Sequence, residues 1–157
     1  WTKLRPGLPL KLVGEGSLAP QVRQAAEMTP DIQWLGRKPI QQVYDLMGNA
    51  TVVLFPTTGY ETFGRVIVEA FAKGTPVIAT SIGSGSELVT PYKTGLLFQP
   101  QNAEDLIDKI IWMLSHPTQL KAMRKAARAE YEEHYTAECN YQRLHHIYRL
   151  TQEEKSK

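Results

Sequence analysis

Five short apolar runs, at residues 10–13, 32–35, 51–55, 76–79 and 96–98, alternate with longer segments of helical period, and this alternation restricts the chain to few folds. Strand-sized runs separated by amphipathic helices form βαβ units, whose crossover helices make neighbouring strands parallel. The runs show little polar alternation. Val52-Val53-Leu54-Phe55 is continuously apolar before Pro56 stops it, as strands covered on both faces require. The expected class is α/β, a Rossmann-like parallel sheet with helices on both faces, followed by C-terminal helices.

Punctuation sets the helices. Ser17 is the expected N-cap of the first, with Pro20 in its first turn, and a second starts near Pro39 with Ile40, Val43, Tyr44 and Met47 on one face. A third carries Val66, Ile67, Ala70 and Phe71 at helical spacing, with Gly74 as its C-terminal cap and Pro76 beyond. Gly83-Ser84-Gly85 and Gly95 bracket a short helical turn. After Pro100 the pattern is helical only. Asn102 is an N-cap with Glu104 and Asp105 in the first turn, and Leu106, Ile107, Ile110, Ile111 and Leu114 form the core stripe. Helices over 117–135 and 136–150 follow. Residues 1–150 read as one domain and 151–157 as a frayed tail.

Composition removes several function classes. The chain has 157 residues, enough for one sizeable core, and 18 Lys+Arg against 16 Asp+Glu give a net charge of +2, too small and interspersed for a nucleic-acid binder. Cys139 is the single cysteine, so no disulfide forms within the chain, and a reducing cytoplasm is the expected compartment. No apolar run approaches the roughly 20 residues that span a bilayer. His116, His134, His145, His146 and Cys139 lack partners at metal-ligand spacing, and no metal is expected. The opening Trp1-Thr2-Lys3 has neither methionine nor cap, and reads as the start of an excised piece.

Two motifs can carry chemistry. Gly14-Glu15-Gly16-Ser17-Leu18-Ala19 fits G-x-G-x-x-A after a strand and before a helix. It either brings backbone close to a phosphate or only links the two elements. The second expected strand is followed by Gly36-Arg37-Lys38 rather than an acidic residue for a ribose diol, which keeps an NADP-binding module open. The second motif runs from Glu61 to Glu69. Seven residues separate the two glutamates, one on a loop and one inside the helix that the loop launches. Amides of Gly64, Arg65 and Val66 at the helix start suit an anion, and a carboxylate can accept from two vicinal hydroxyls. The alternative is a solvated loop acid and a helix-surface acid.

The stretch Phe55-Pro56 followed by Glu61-Thr62-Phe63-Gly64-Arg65-Val66-Ile67-Val68-Glu69-Ala70-Phe71-Ala72-Lys73-Gly74-Thr75-Pro76 resembles the donor-binding signature of the group 1 (family 4) glycosyltransferases, retaining enzymes of the two-Rossmann GT-B type. Leu12-Val13-Gly14-Glu15-Gly16 resembles that family's V-G-x-G loop, and Trp34-Leu35-Gly36 its F-x-G. Residues 83–87 and Gly95-Leu96-Leu97-Phe98 resemble its G-G-x-x-E-x-V and G-x-L-x segments. The likeness covers about residues 10–115.

The resemblance implies that the chain is one half of a GT-B fold, the donor-binding C-terminal domain, and that the enzyme transfers a glycosyl group from a nucleoside diphosphate sugar (UDP-, GDP- or ADP-) to an acceptor hydroxyl. Glu69 would bind the ribose hydroxyls. Glu61 would occupy the catalytic position at the hydroxyls of the transferred sugar, without being assigned as a nucleophile. Phe63, Gly64, Arg65 and Val66 would hold sugar and diphosphate, Gly14 and Gly16 would lie close to the donor, and Arg37 and Lys38 would border the base. No cofactor is implied. The partners implied are the donor and an N-terminal acceptor domain of the same parent chain, through which the parent could touch a membrane peripherally. Two departures matter. The family's diphosphate-clamping Arg and Lys have no counterpart here, since Lys3 and Arg5 are misplaced for that role, and Ser84 replaces the second glycine of the G-G pair. The piece alone is therefore expected to bind donor weakly and to catalyse nothing. A free-standing NADP or nucleotide-binding module and a GT-B sugar-nucleotide epimerase are the alternatives.

Overall fold

A computed structural model describes Trp1 and residues 9–155; Lys3 and Arg5 lie outside the described residues. The chain forms two compact units, Trp1–Leu46 and Met47–Lys157.

In the first unit, β1 (Leu10–Leu12) and β2 (Ile32–Trp34) pair in parallel with Leu10 opposite Ile32 and Leu12 opposite Trp34, joined through α1 (Ala19–Met28). Ser17 is not the N-cap of α1. The cap position is Leu18, no side chain caps the helix, and a turn bond from the Ala19 amide to the Gly16 carbonyl (3.0 Å) starts it instead, with proline in the first turn as expected. The guanidinium of Arg23 on α1 lies 4.8 Å from the Trp34 ring centroid, and the Trp34 indole N–H donates to the Gly14 carbonyl at 3.1 Å. Helix α2 (Ile40–Asn49) follows. Of the face expected to be apolar, Met47 is buried, Val43 and Tyr44 are half-buried and Ile40 is exposed.

In the second unit, β3 (Val53–Phe55), β4 (Val77–Thr80) and β5 (Gly95–Phe98) form a parallel sheet with β4 in the centre. The five strands thus hydrogen-bond in two separate sets. Every residue of β4 is buried, which is why its sequence shows no polar alternation. Helix α3 (Arg65–Ala72) crosses from β3 to β4 and packs Ile67, Ala70 and Phe71 into a core with Phe55, Val77, Ala79, Val89 and Ala127. Val68 is buried as well, whereas Val66, expected in the core, is only partly buried against it. Gly74 ends α3 in a Schellman arrangement. At φ 65° it donates to Phe71, and Thr75 donates to Ala70.

Helix α4 (Ser84–Leu88) is the short turn between β4 and β5, and α5 (Ala103–Ser115), α6 (Pro117–His134) and α7 (Ala137–Lys155) complete the unit. Asn102 caps α5 as expected, its side chain accepting from the Asp105 amide at 3.0 Å. The stripe of α5 is narrower than expected: Ile110 and Met113 are buried, but Ile111 is exposed. The backbone of α7 stays helical to Lys155, past the expected end at 150, and residues 140–152 are all exposed.

Two arginines of α6 hold down the carboxyl ends of earlier helices. Arg124 donates to the carbonyls of Ala50 (2.8 Å) and Gly48 (3.1 Å), and Arg128 to that of Ala72. These carbonyls have no intrahelical partner, so a cation there satisfies both the hydrogen bond and the helix dipole.

Candidate functional site

Glu61, Phe63, Gly64, Arg65, Val66 and Glu69 all lie where β3 hands over to α3. The loop after β3 is tied to the end of β4 by the Thr80 hydroxyl, which donates to the Thr57 carbonyl at 2.9 Å. It carries Tyr60, Glu61 and Phe63 exposed to solvent and ends at Gly64, which is buried. Gly64 is the N-cap of α3 with φ 72° and ψ 43°, a left-handed conformation that glycine adopts without a Cβ penalty. A side chain there would also collide: a Cβ would lie 2.8 Å from the Cβ and Oγ of Ser84 and 2.9 Å from Cδ1 of Leu88.

The Gly64 carbonyl accepts from Ile67 (2.9 Å) and Val68 (3.4 Å), and no side chain caps the helix. The amides of Arg65 and Val66 precede the first intrahelical bond and give this end its partial positive charge. One turn inside, Glu69 is largely buried with 14% of its side chain exposed, and its Oε1 accepts from Nε of Arg65 at 2.9 Å. The structure therefore brings an uncapped helix start and an oriented carboxylate onto one short element, with Glu61 on the exposed loop before it.

The turn before α4 packs on this loop. Gly83, at φ 50°, lies against Tyr60, where a Cβ would come within 3.3 Å of the ring. Gly85 leaves no room for a side chain beside the Thr80 carbonyl. Ser84 between them is buried beneath Gly64, a contact that spacing along the chain could not show.

In the first unit, Gly14 adopts φ 121° and donates to the carbonyl of Gly36 at 2.8 Å, so the Gly14 to Gly16 loop and the Gly36-Arg37-Lys38 loop stand side by side. No atom lies within 4 Å of a Cβ built on Gly14 or Gly16, so both glycines border open space. Arg37 and Lys38 line an open hollow with Pro39 and Ile40.

The remaining titratable candidates are engaged locally. The His116 ring stacks on Trp112 at 4.3 Å, His134 approaches Arg143, Glu130 and Glu133, and half-buried Cys139 directs its thiol to the carbonyls of Glu132 and Glu133. Among the described residues no three His, Cys, Asp or Glu side chains cluster as metal ligands, and no helix is long and apolar enough to cross a membrane.

The second unit is a parallel α/β arrangement in which a glycine-launched helix start without a side-chain cap lies one turn from an oriented glutamate. The sequence profile of the family described as Glycosyl transferases group 1 matches residues 1–130, and the chain belongs to that family. Over 150 residues it is 33% identical to the GDP-mannose-dependent monoacylated alpha-(1-6)-phosphatidylinositol monomannoside mannosyltransferase of Corynebacterium glutamicum, covering 91% of this chain and 39% of that protein. Among solved structures, a glycosyltransferase from Rickettsia africae superposes with a TM-score of 0.78 at 27% identity, over 90% of this chain and 39% of that one. Anabaena Alr3699/HepE in complex with UDP-glucose superposes with a TM-score of 0.80 at 25% identity, over 92% and 42%. The α/β class and the GT-B likeness expected from the sequence hold. The chain spans about two fifths of the length of the mannosyltransferase it matches.

Proposed function

We propose that this chain is the donor-binding half of a retaining glycosyltransferase that moves a glycosyl group from a nucleoside diphosphate sugar to an acceptor hydroxyl. The observation that carries the reading is the start of α3, where uncapped amides and the Arg65-held carboxylate of Glu69 lie one turn apart. In this reading Glu69 accepts from the ribose hydroxyls, and Glu61 is the catalytic-position carboxylate at the hydroxyls of the transferred sugar. The backbone of Phe63, Gly64, Arg65 and Val66 holds sugar and diphosphate.

Chemically, the C–O bond from the anomeric carbon to the diphosphate breaks, the acceptor oxygen takes its place, and the acceptor proton leaves. Negative charge grows on the diphosphate as the sugar becomes cation-like. Fixed amides aimed at that growing charge stabilise it more than they stabilise the ground state. The scheme requires two substrates, the donor and the acceptor whose hydroxyl receives the sugar, and a further domain of a longer chain binds the acceptor. The reading supports a cytoplasmic protein and predicts no transfer activity for the 157 residues alone.

Titration with UDP, GDP, ADP and NADP tests the proposal. Weak binding of one nucleoside diphosphate is the expected result. Tighter binding of NADP that is lost in Arg37→Ala would replace it with a dinucleotide-binding module.

A further inference from the structure

We propose that the Ser84 hydroxyl is a ligand-binding group, donating a hydrogen bond to a phosphoryl oxygen of the diphosphate held at the amino-terminal end of α3. The inference rests on the donor-site reading above and adds to it a residue that the family resemblance does not supply, because the resembling motif has glycine at this position.

Ser84 is only 4% exposed, and among the described residues its Oγ is the one buried side-chain nitrogen or oxygen with no hydrogen-bond partner. A buried unpaired hydroxyl costs stability, and glycine or alanine would avoid that cost. Its position is specific. The oxygen lies 2.8 Å from where a Cβ of Gly64, the N-cap of α3, would stand. Two independent features thus meet at one place, an uncapped start of an eight-residue helix and an orphaned donor. A hydroxyl rotates freely and donates well to a phosphoryl oxygen, with an anionic acceptor making the shorter, stronger bond. Oγ lies beneath Gly64, and a diphosphate would reach it by displacing that turn from Ser84.

The test is calorimetric titration of the wild type and Ser84→Ala with UDP, GDP, ADP and inorganic pyrophosphate, together with backbone amide shifts of Gly64 and Ser84 in the wild type. Ser84→Ala should melt at the same or a higher temperature and bind the best diphosphate about tenfold more weakly. Both amides should shift with the same saturation curve. Equal affinity of variant and wild type overturns the role of Ser84 and leaves the donor reading standing, provided Glu69→Gln weakens binding. Failure of all four probes to bind the wild type overturns both. Should Ser84→Ala not fold, a Ser84 amide that stays still while Gly64 shifts overturns the proposal.

Discussion

Nε of Arg65 donates to Oε1 of Glu69 at 2.9 Å, joining the first residue of α3 to a carboxylate one turn further in. A cation at a helix amino terminus opposes the dipole, and an exposed i,i+4 ion pair contributes only about 0.3–0.5 kcal/mol. Arg65 is 74% exposed and Glu69 14%, so the acid is the enclosed partner of the pair. The bond fixes the orientation of the Glu69 carboxylate and leaves the Arg65 side chain at the exposed start of the helix.

Gly64 should not tolerate a side chain. Gly64→Ala combines a left-handed φ of 72° with overlap on Ser84 and Leu88, and should cost about 2–4 kcal/mol in a thermal or urea melt. Gly16→Ala, where a Cβ meets nothing within 4 Å, should change stability by less than about 0.5 kcal/mol.

Arg124 should matter to stability despite its charge. Its two bonds satisfy the carbonyls of Gly48 and Ala50 at the end of α2, and removing the guanidinium leaves both without that donor. Arg124→Ala should lower stability by about 1–3 kcal/mol, read as a lower urea midpoint at unchanged slope.

Asp105 should contribute an acid-sensitive component. Its carboxylate accepts from the Gln99 amide at 2.7 Å and pairs with Lys109 at 3.1 Å. The Gln99 amide chiefly, with Lys109 assisting against partial burial, holds its pKa below the ordinary aspartate value. A depressed folded-state pKa means stability that is present above the unfolded value of about 4 and lost as pH falls through the folded value. Asp105→Asn should therefore destabilise the chain at pH 7 and flatten the loss of stability below about pH 4, measured by melts across pH.

Helix α7 should exchange faster than the sheet. Residues 140–152 are all exposed, including Leu144, Ile147 and Tyr148, whereas every residue of β4 is buried. Amide exchange in α7 should exceed that in β4 by orders of magnitude. Equal protection would show that its apolar face is covered.

The parts of the fold set by local chemistry were legible. The apolar run of β4, the glycine cap at Gly74 and the Asn102 cap follow from backbone sterics and hydrogen-bond demand at single positions. Two details differ from the expected pattern. Ser17 has the residue type of a cap, but the turn from Gly16 to Ala19 starts the helix two residues later. Ile111 is apolar at a stripe position, yet α5 turns Ile110 and Met113 inward. The separation of the strands into two hydrogen-bonded sets depends on pairing between distant segments, which periodicity does not encode. The Glu61 to Glu69 spacing placed one acid on the loop and one inside the helix, as the structure has them. The seating of Gly64 on Ser84 joins residues twenty apart and needed coordinates. The Arg65–Glu69 pair was available from its i,i+4 spacing alone.

The proposed donor site at the start of α3 has Glu69 as the acceptor for the ribose hydroxyls. Calorimetric titration of the wild type and Glu69→Gln with the nucleoside diphosphate that binds best tests it directly. Binding at least about tenfold weaker in the variant, at an unchanged melting temperature, is the predicted result, since a ribose diol loses a charged acceptor. Equal affinity in the two proteins would contradict it.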